Sequence, residues 1–97
     1  MEMRREYIHT DDGRAIAVAV AEHEGKTLLE CGEATAFLRH LLRDPAVPDL
    51  APGTYVRGVI SPGAGALLEL FDPIGAQSRD PIRVDDDVTR ERLAELC

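Results

Sequence analysis

The stretch that decides the fold is Arg14-Ala15-Ile16-Ala17-Val18-Ala19-Val20-Ala21-Glu22. Successive side chains of a strand point to opposite faces, so Ile16, Val18 and Val20 share one face and Ala15, Ala17, Ala19 and Ala21 the other. Wound as a helix the run would be apolar all round, and a β-branched residue at every second position favours the strand. The reading is a strand with one bulky and one shallow face. The alanines suit two coverings. Either a helix packs there at close range, or the face is a platform that receives a partner segment or a small ligand.

Working outward, Arg4–Thr10 reads as a preceding strand, joined through the hairpin signal Asp11-Asp12-Gly13. His23-Glu24-Gly25 turns the chain again, and Lys26–Cys31 returns as a third strand. A helix over Glu33–Arg43 follows, because Ala34, Phe37, Leu38 and Leu41 form one apolar stripe. Gly32 is its expected N-cap, and Asp44-Pro45 stops it, since the residue before proline avoids the helical region. Thr54–Ser61 and Ala66–Phe71 read as two strands joined by Pro62-Gly63-Ala64-Gly65. A loop to Pro81, a short strand Ile82–Val84 and a helix Val88–Leu96 complete the chain, with Asp85, Asp86 and Asp87 at the positive end of that helix. The class is α+β: antiparallel β-meanders with two helices in the order βββα-ββ(β)α, in a single domain over residues 1–97.

Two short segments resemble known families. Ile82 to Leu96 looks like the opening strand and first helix of a ribbon-helix-helix repressor, without the second helix that such a repressor requires. Gly25–Glu30, then Phe37-Leu38, then Pro52-Gly53-Thr54, are similar to the second half of SsgA-like sporulation and cell-division proteins. The Thr54–Phe71 hairpin departs from that pattern, and neither resemblance carries a function across.

Apolar residues make up 44% of the 97 and charged residues 30%, a globular composition. The net charge is −7, spread over both halves of the chain. A phosphate backbone calls for clustered Lys and Arg, and single-stranded nucleic acid calls for aromatics interleaved with cations. One Lys, ten scattered Arg and four aromatics meet neither requirement, so no nucleic-acid partner is expected. The charged N-terminal segment has no apolar stretch of the secretory kind, and Ala15–Ala21 is too short to span a bilayer. No membrane partner is expected. Two cysteines, Cys31 and Cys97, fit a reduced, cytoplasmic setting better than a disulfide framework.

Chemistry-bearing residues are few. Cys31, at a strand-to-helix turn, sits where a helix's positive end favours thiolate. A nucleophile there needs a base. His40 is roughly 13 Å away along a helix and His23 roughly 26 Å away along a strand, which leaves His9 as the one histidine able to join Cys31. The plainer reading of Cys31 is a small buried hydrophobe. No spacing typical of a metal site occurs, and Asp-Asp-Gly and Asp-Asp-Asp read as a turn and a helix start. No cofactor is implied. Arg39 and Arg43 form a basic strip on the outer face of the first helix, able to grip an acidic partner or simply to be solvated.

These observations favour a small acidic non-catalytic protein–protein interaction module, acting as an accessory, inhibitor or regulatory subunit through a sheet face or a strand edge. The alternative is a small-ligand-binding or thiol-dependent domain centred on Cys31 and His9. A homo-oligomer in which meanders pair at their edges is a third class.

Overall fold

The alternation read at Ile16, Val18 and Val20 is repeated on every neighbouring strand, and the repetition builds one sheet with one buried face. The computed structural model describes Glu2 to Leu96. Its strands are β1 (Arg4–His9), β2 (Ala15–His23), β3 (Lys26–Cys31), β4 (Tyr55–Ser61), β5 (Gly65–Phe71) and β6 (Ile82–Val84). Helix α1 (Ala34–Leu42) lies between β3 and β4, and α2 (Asp86–Arg92) follows β6, with a 3-10 turn over Ala94–Leu96. All six strands pair antiparallel in the order β1-β2-β3-β4-β5-β6, an α+β fold in the expected element order.

The two meanders are a single sheet. Thr27 opposite Ile60 and Cys31 opposite Val56 join β3 to β4, so α1 and the loop after it leave and return at the same end of the sheet. The Glu24-Gly25 turn between β2 and β3 has positive φ at both residues, 52° and 78°. That backbone twist matches the right-handed twist of the flanking strands. Gly65 opens β5 at φ 86°, where an added Cβ would lie 2.0 Å from the Val84 carbonyl oxygen. Only glycine lets the chain pass under β6 at that point.

The buried face carries Ile8, Ile16, Val18, Val20, Leu29, Cys31, Val56, Ile60, Leu68, Leu70 and Val84. Both helices pack on it. Ala34, Phe37, Leu38 and Leu41 of α1 enter the same cluster, as do Leu93 and Leu96 after α2. The alanines of β2 face the other way, and no described helix covers them. The close-packed helix, one of the two expected coverings, is therefore absent. The apolar stripe of α1, with Thr89 of α2 and the Leu93 and Leu96 that follow it, covers one face of the six-stranded sheet.

The ends of the elements differ from expectation by small, explicable amounts. Glu33, not Gly32, is the N-cap of α1, and Arg43 closes it in the left-handed conformation, its N–H donating to the carbonyls of Arg39 and His40. The last helix begins two residues earlier than expected and breaks after Arg92. Residues three apart eclipse in a 3-10 turn, which brings Leu93 and Leu96, both fully buried, onto the same side of the chain.

Candidate functional site

The uncovered face is the largest feature of the molecule to which no structural role attaches. Ala15 stands opposite His9, Ala17 opposite Tyr7, and Ala19 between Arg5 and Glu30. Ala21 is paired with Leu28 and is 1% exposed. The alanines thus form a shallow strip along β2, flanked by His9, Tyr7 and Arg5 of β1 beside Ala15, Ala17 and Ala19, and by Glu30 and Leu28 of β3 beside Ala19 and Ala21. Six residue steps at about 3.3 Å make that strip roughly 20 Å long.

Beyond β3 the face continues as two rows. Leu28, Val59 and Leu67 lie side by side across β3, β4 and β5, and Glu30, Arg57 and Glu69 form the parallel row. With Met3 and Ala21 they line a depression of about 400 Å³. Met3, in that lining, is 60% exposed, and Tyr7, farther along the same face beside Ala17, is 46% exposed. At the far end Tyr55 and Phe71 stack, with ring centroids 5.3 Å apart. The Arg57 guanidinium lies 5.8–5.9 Å from the two rings while its Nε donates to Glu30 at 3.0 Å.

The charge of this face is opposite in sign to that of the protein. Arg5, Lys26, Arg57 and Arg83 point onto it, against the carboxylates Glu30 and Glu69. On a chain of net charge −7, this is a local cationic excess. Three of the four aromatics, Tyr7, Tyr55 and Phe71, also gather here. Neither concentration is visible along the chain, because the cross-strand register creates both. Alternation within Tyr55-Val56-Arg57-Gly58-Val59 was the signal available in the sequence.

The thiol and its candidate base lie apart. Cys31 is 0% exposed on the core face, and its Sγ–H donates to the Ala17 carbonyl at 3.6 Å. Burial pushes the thiol up to about 11. This is opposite in direction to the lowering expected from the helix's positive end, because desolvation outweighs the dipole. His9 instead meets Glu95: its backbone N–H donates to Oε2 at 2.8 Å, and Nδ1 lies 3.1 Å from Oε1. That contact occupies part of the outer edge of β1, where Arg4 Nη2 also donates to the Leu96 carbonyl at 3.1 Å. A strand seeking to pair at that edge meets the C-terminal turn first.

Arg39 and Arg43 are drawn into the structure more than the sequence indicates. Arg39 donates through Nε and Nη2 to the Val47 carbonyl at 2.9 and 2.7 Å and reaches Asp49. Arg43 pairs with Glu91 of α2. Among the described residues no three His, Cys, Asp or Glu side chains gather as a metal-ligand set. No described helix is long and apolar enough to cross a membrane.

Compared with protein-family models, curated proteins and solved structures, the chain matches none of them. Neither short resemblance gains support from those comparisons, and the functional argument rests on the geometry alone.

Proposed function

We propose that this protein is a non-catalytic accessory or regulatory module that receives an acidic amphipathic helix of another protein on the open face of its sheet. The observation that carries the reading is the uncovered alanine strip, continuous with the Leu28–Val59–Leu67 depression. Small side chains let a helix backbone approach a sheet closely. A strip of roughly 20 Å accepts about 13 residues of helix at 1.5 Å each. Arg5, Lys26, Arg57 and Arg83 then face the partner's acidic flank, while the apolar rows take its other side.

A second copy of this chain is the weaker occupant, because the apolar stripe of α1 is already in the core and α2 has none to offer. Chemistry at Cys31 finds no geometric support, since the thiol is buried and distant in orientation from His9. The gathered aromatics and cations make single-stranded nucleic acid a rival to be tested. Against it, Tyr55 and Phe71 stack on one another and Arg57 is tied to Glu30.

The test compares capture by the native protein with capture by Val59→Asp and by Arg5→Glu/Arg83→Glu, each confirmed folded by its denaturant midpoint. The expected result is one protein retained by the native chain and by Arg57→Lys, and lost from both open-face variants. Its binding segment, as a synthetic peptide, then becomes helical on addition. A native-state dimer abolished by Val59→Asp, or tight salt-sensitive binding of single-stranded RNA, overturns the reading.

A further inference from the structure

The chain draws its positive charge from arginine at ten positions and from lysine at one, Lys26. A guanidinium resists acylation, whereas a lysine amine accepts an acyl group and loses its charge on doing so. Lys26 is thus the one side chain in the sequence whose acylation removes a positive charge.

Its place in the fold is specific. Lys26 opens β3 directly after the Glu24-Gly25 turn, whose positive φ values fix a tight hairpin. It is exposed, shares the open face with Leu28 and Glu30, and stands opposite His23 of β2. Cross-strand partners hold their Cβ atoms about 4.5–5.5 Å apart, so the imidazole of His23 is within reach of the ε-amine. Nε2 of His23 lies 3.8 Å from Oε1 of Glu24, too far for a hydrogen bond, which leaves the ring uncommitted. Seven of the ten arginines stand in ion pairs with carboxylates. Lys26 has no such partner among the described residues, and neither have Arg5 and Arg83 of the same face.

We propose that Lys26 is an N-acylation site whose modification weakens the docking of an acidic partner on the open face, a regulation that rests on that reading. The donor is an acyl phosphate. The amine lone pair attacks the acyl carbonyl, the C–N bond forms, the C–O bond to phosphate breaks, and inorganic phosphate leaves. His23 takes the proton that the attacking nitrogen gives up, as a general base. A neutral amide then replaces an ammonium on the face that meets the partner's acids. Arg5 and Arg83 keep their charges, so affinity falls without being abolished.

The test has two arms. In the first, the whole protein is incubated with acetyl phosphate at pH 8, and peptide mapping by mass spectrometry follows each amine. Lys26 should acylate at least about threefold faster than the same lysine in an unstructured peptide of residues 22–30. His23→Ala should remove that advantage while the urea midpoint stays unchanged. In the second arm, Lys26→Gln removes the charge as acylation does and Lys26→Arg keeps it. The protein captured by the native chain and lost from Val59→Asp should bind Lys26→Gln about three- to tenfold more weakly and Lys26→Arg as the native chain. Acylation of Lys26 no faster than in the peptide, or undiminished in His23→Ala, overturns the site. Equal capture by Lys26→Gln and the native chain, with Val59→Asp still inactive, overturns the regulation and leaves the docking standing. Capture unaffected by Val59→Asp brings down the docking, and this regulation with it.

Discussion

Arg92 and His40 bind each other's backbone. Arg92 donates through Nε and Nη2 to the carbonyl of His40 at 3.0 and 2.7 Å, and Nε2 of His40 lies 2.9 Å from the carbonyl of Arg92. The two contacts join the last turn of α1 to the last turn of α2, and Arg43–Glu91 adds an ion pair beside them. Carbonyls in the last turn of a helix lack the regular i+4 donor; that of His40 receives the Arg43 N–H at 3.4 Å and takes its shorter bonds from Arg92, as the Arg92 carbonyl takes one from His40. Nε2 is the donor to that carbonyl, and among the described residues Nδ1 of His40 has no hydrogen-bond partner.

Arg92→Ala is therefore expected to lower stability by about 1.5–3 kcal/mol, the range for hydrogen bonds from a charged group. Arg43→Ala, which removes only the exposed pair, is expected to cost less than about 1 kcal/mol. Urea midpoints at constant slope measure both.

Phe37 is the largest fully buried side chain and joins α1 to the sheet. Phe37→Ala should cost roughly 3–5 kcal/mol, by loss of transfer energy and by the cavity left behind. A calorimetric midpoint within a degree or two of the native value would mean that α1 does not pack on this core.

The buried thiol of Cys31 gives stability an alkaline limit. Between the ordinary value of 9.0 and about 11, the unfolded chain ionises at this position and the folded chain does not. The unfolded state then binds fewer protons, so stability falls with rising pH across that window by up to ~1.4 kcal/mol per unit. Cys31→Ala should lack this component when the two denaturation series are subtracted. In a Cys97→Ser background, iodoacetamide should modify Cys31 only as fast as the chain unfolds.

Gly65→Ala should disrupt the β5–β6 pairing, because the new methyl group would fall on the Val84 carbonyl at a φ that alanine rarely adopts. Amide exchange at Arg83 and Val84 reports it, with loss of protection expected there while β2 and β3 keep theirs.

The sequence shows local order more clearly than long-range arrangement. Alternation at Ile16, Val18 and Val20 and the stripe at Phe37, Leu38 and Leu41 each lie within one element, so strand and helix were legible there. Pairing of Cys31 with Val56 spans an intervening helix and loop, and no local pattern encodes it. The same holds for the cations of the open face, since Arg5, Arg57 and Arg83 share it only through the register of β1, β4 and β6. The alanine face stays open because the apolar residues of α1 and the leucines after α2, Leu93 and Leu96, all join the core on the opposite face. Ala15 to Ala21 alone fit a covering helix and a free platform equally well.

The most direct test of the open face as a docking site is site-specific photo-crosslinking in the native host, with a benzophenone amino acid at Val59. The side chain at that position is partly exposed between Leu28 and Leu67. Mass spectrometry of the adduct then identifies what lies on the face. The expected adduct joins Val59 to a peptide of another protein, with apolar residues at helical spacing and more Asp and Glu than Lys and Arg. It should disappear when Arg5→Glu/Arg83→Glu is introduced. Crosslinks only to a second copy of this chain, to nucleic acid or to basic peptides would contradict the account.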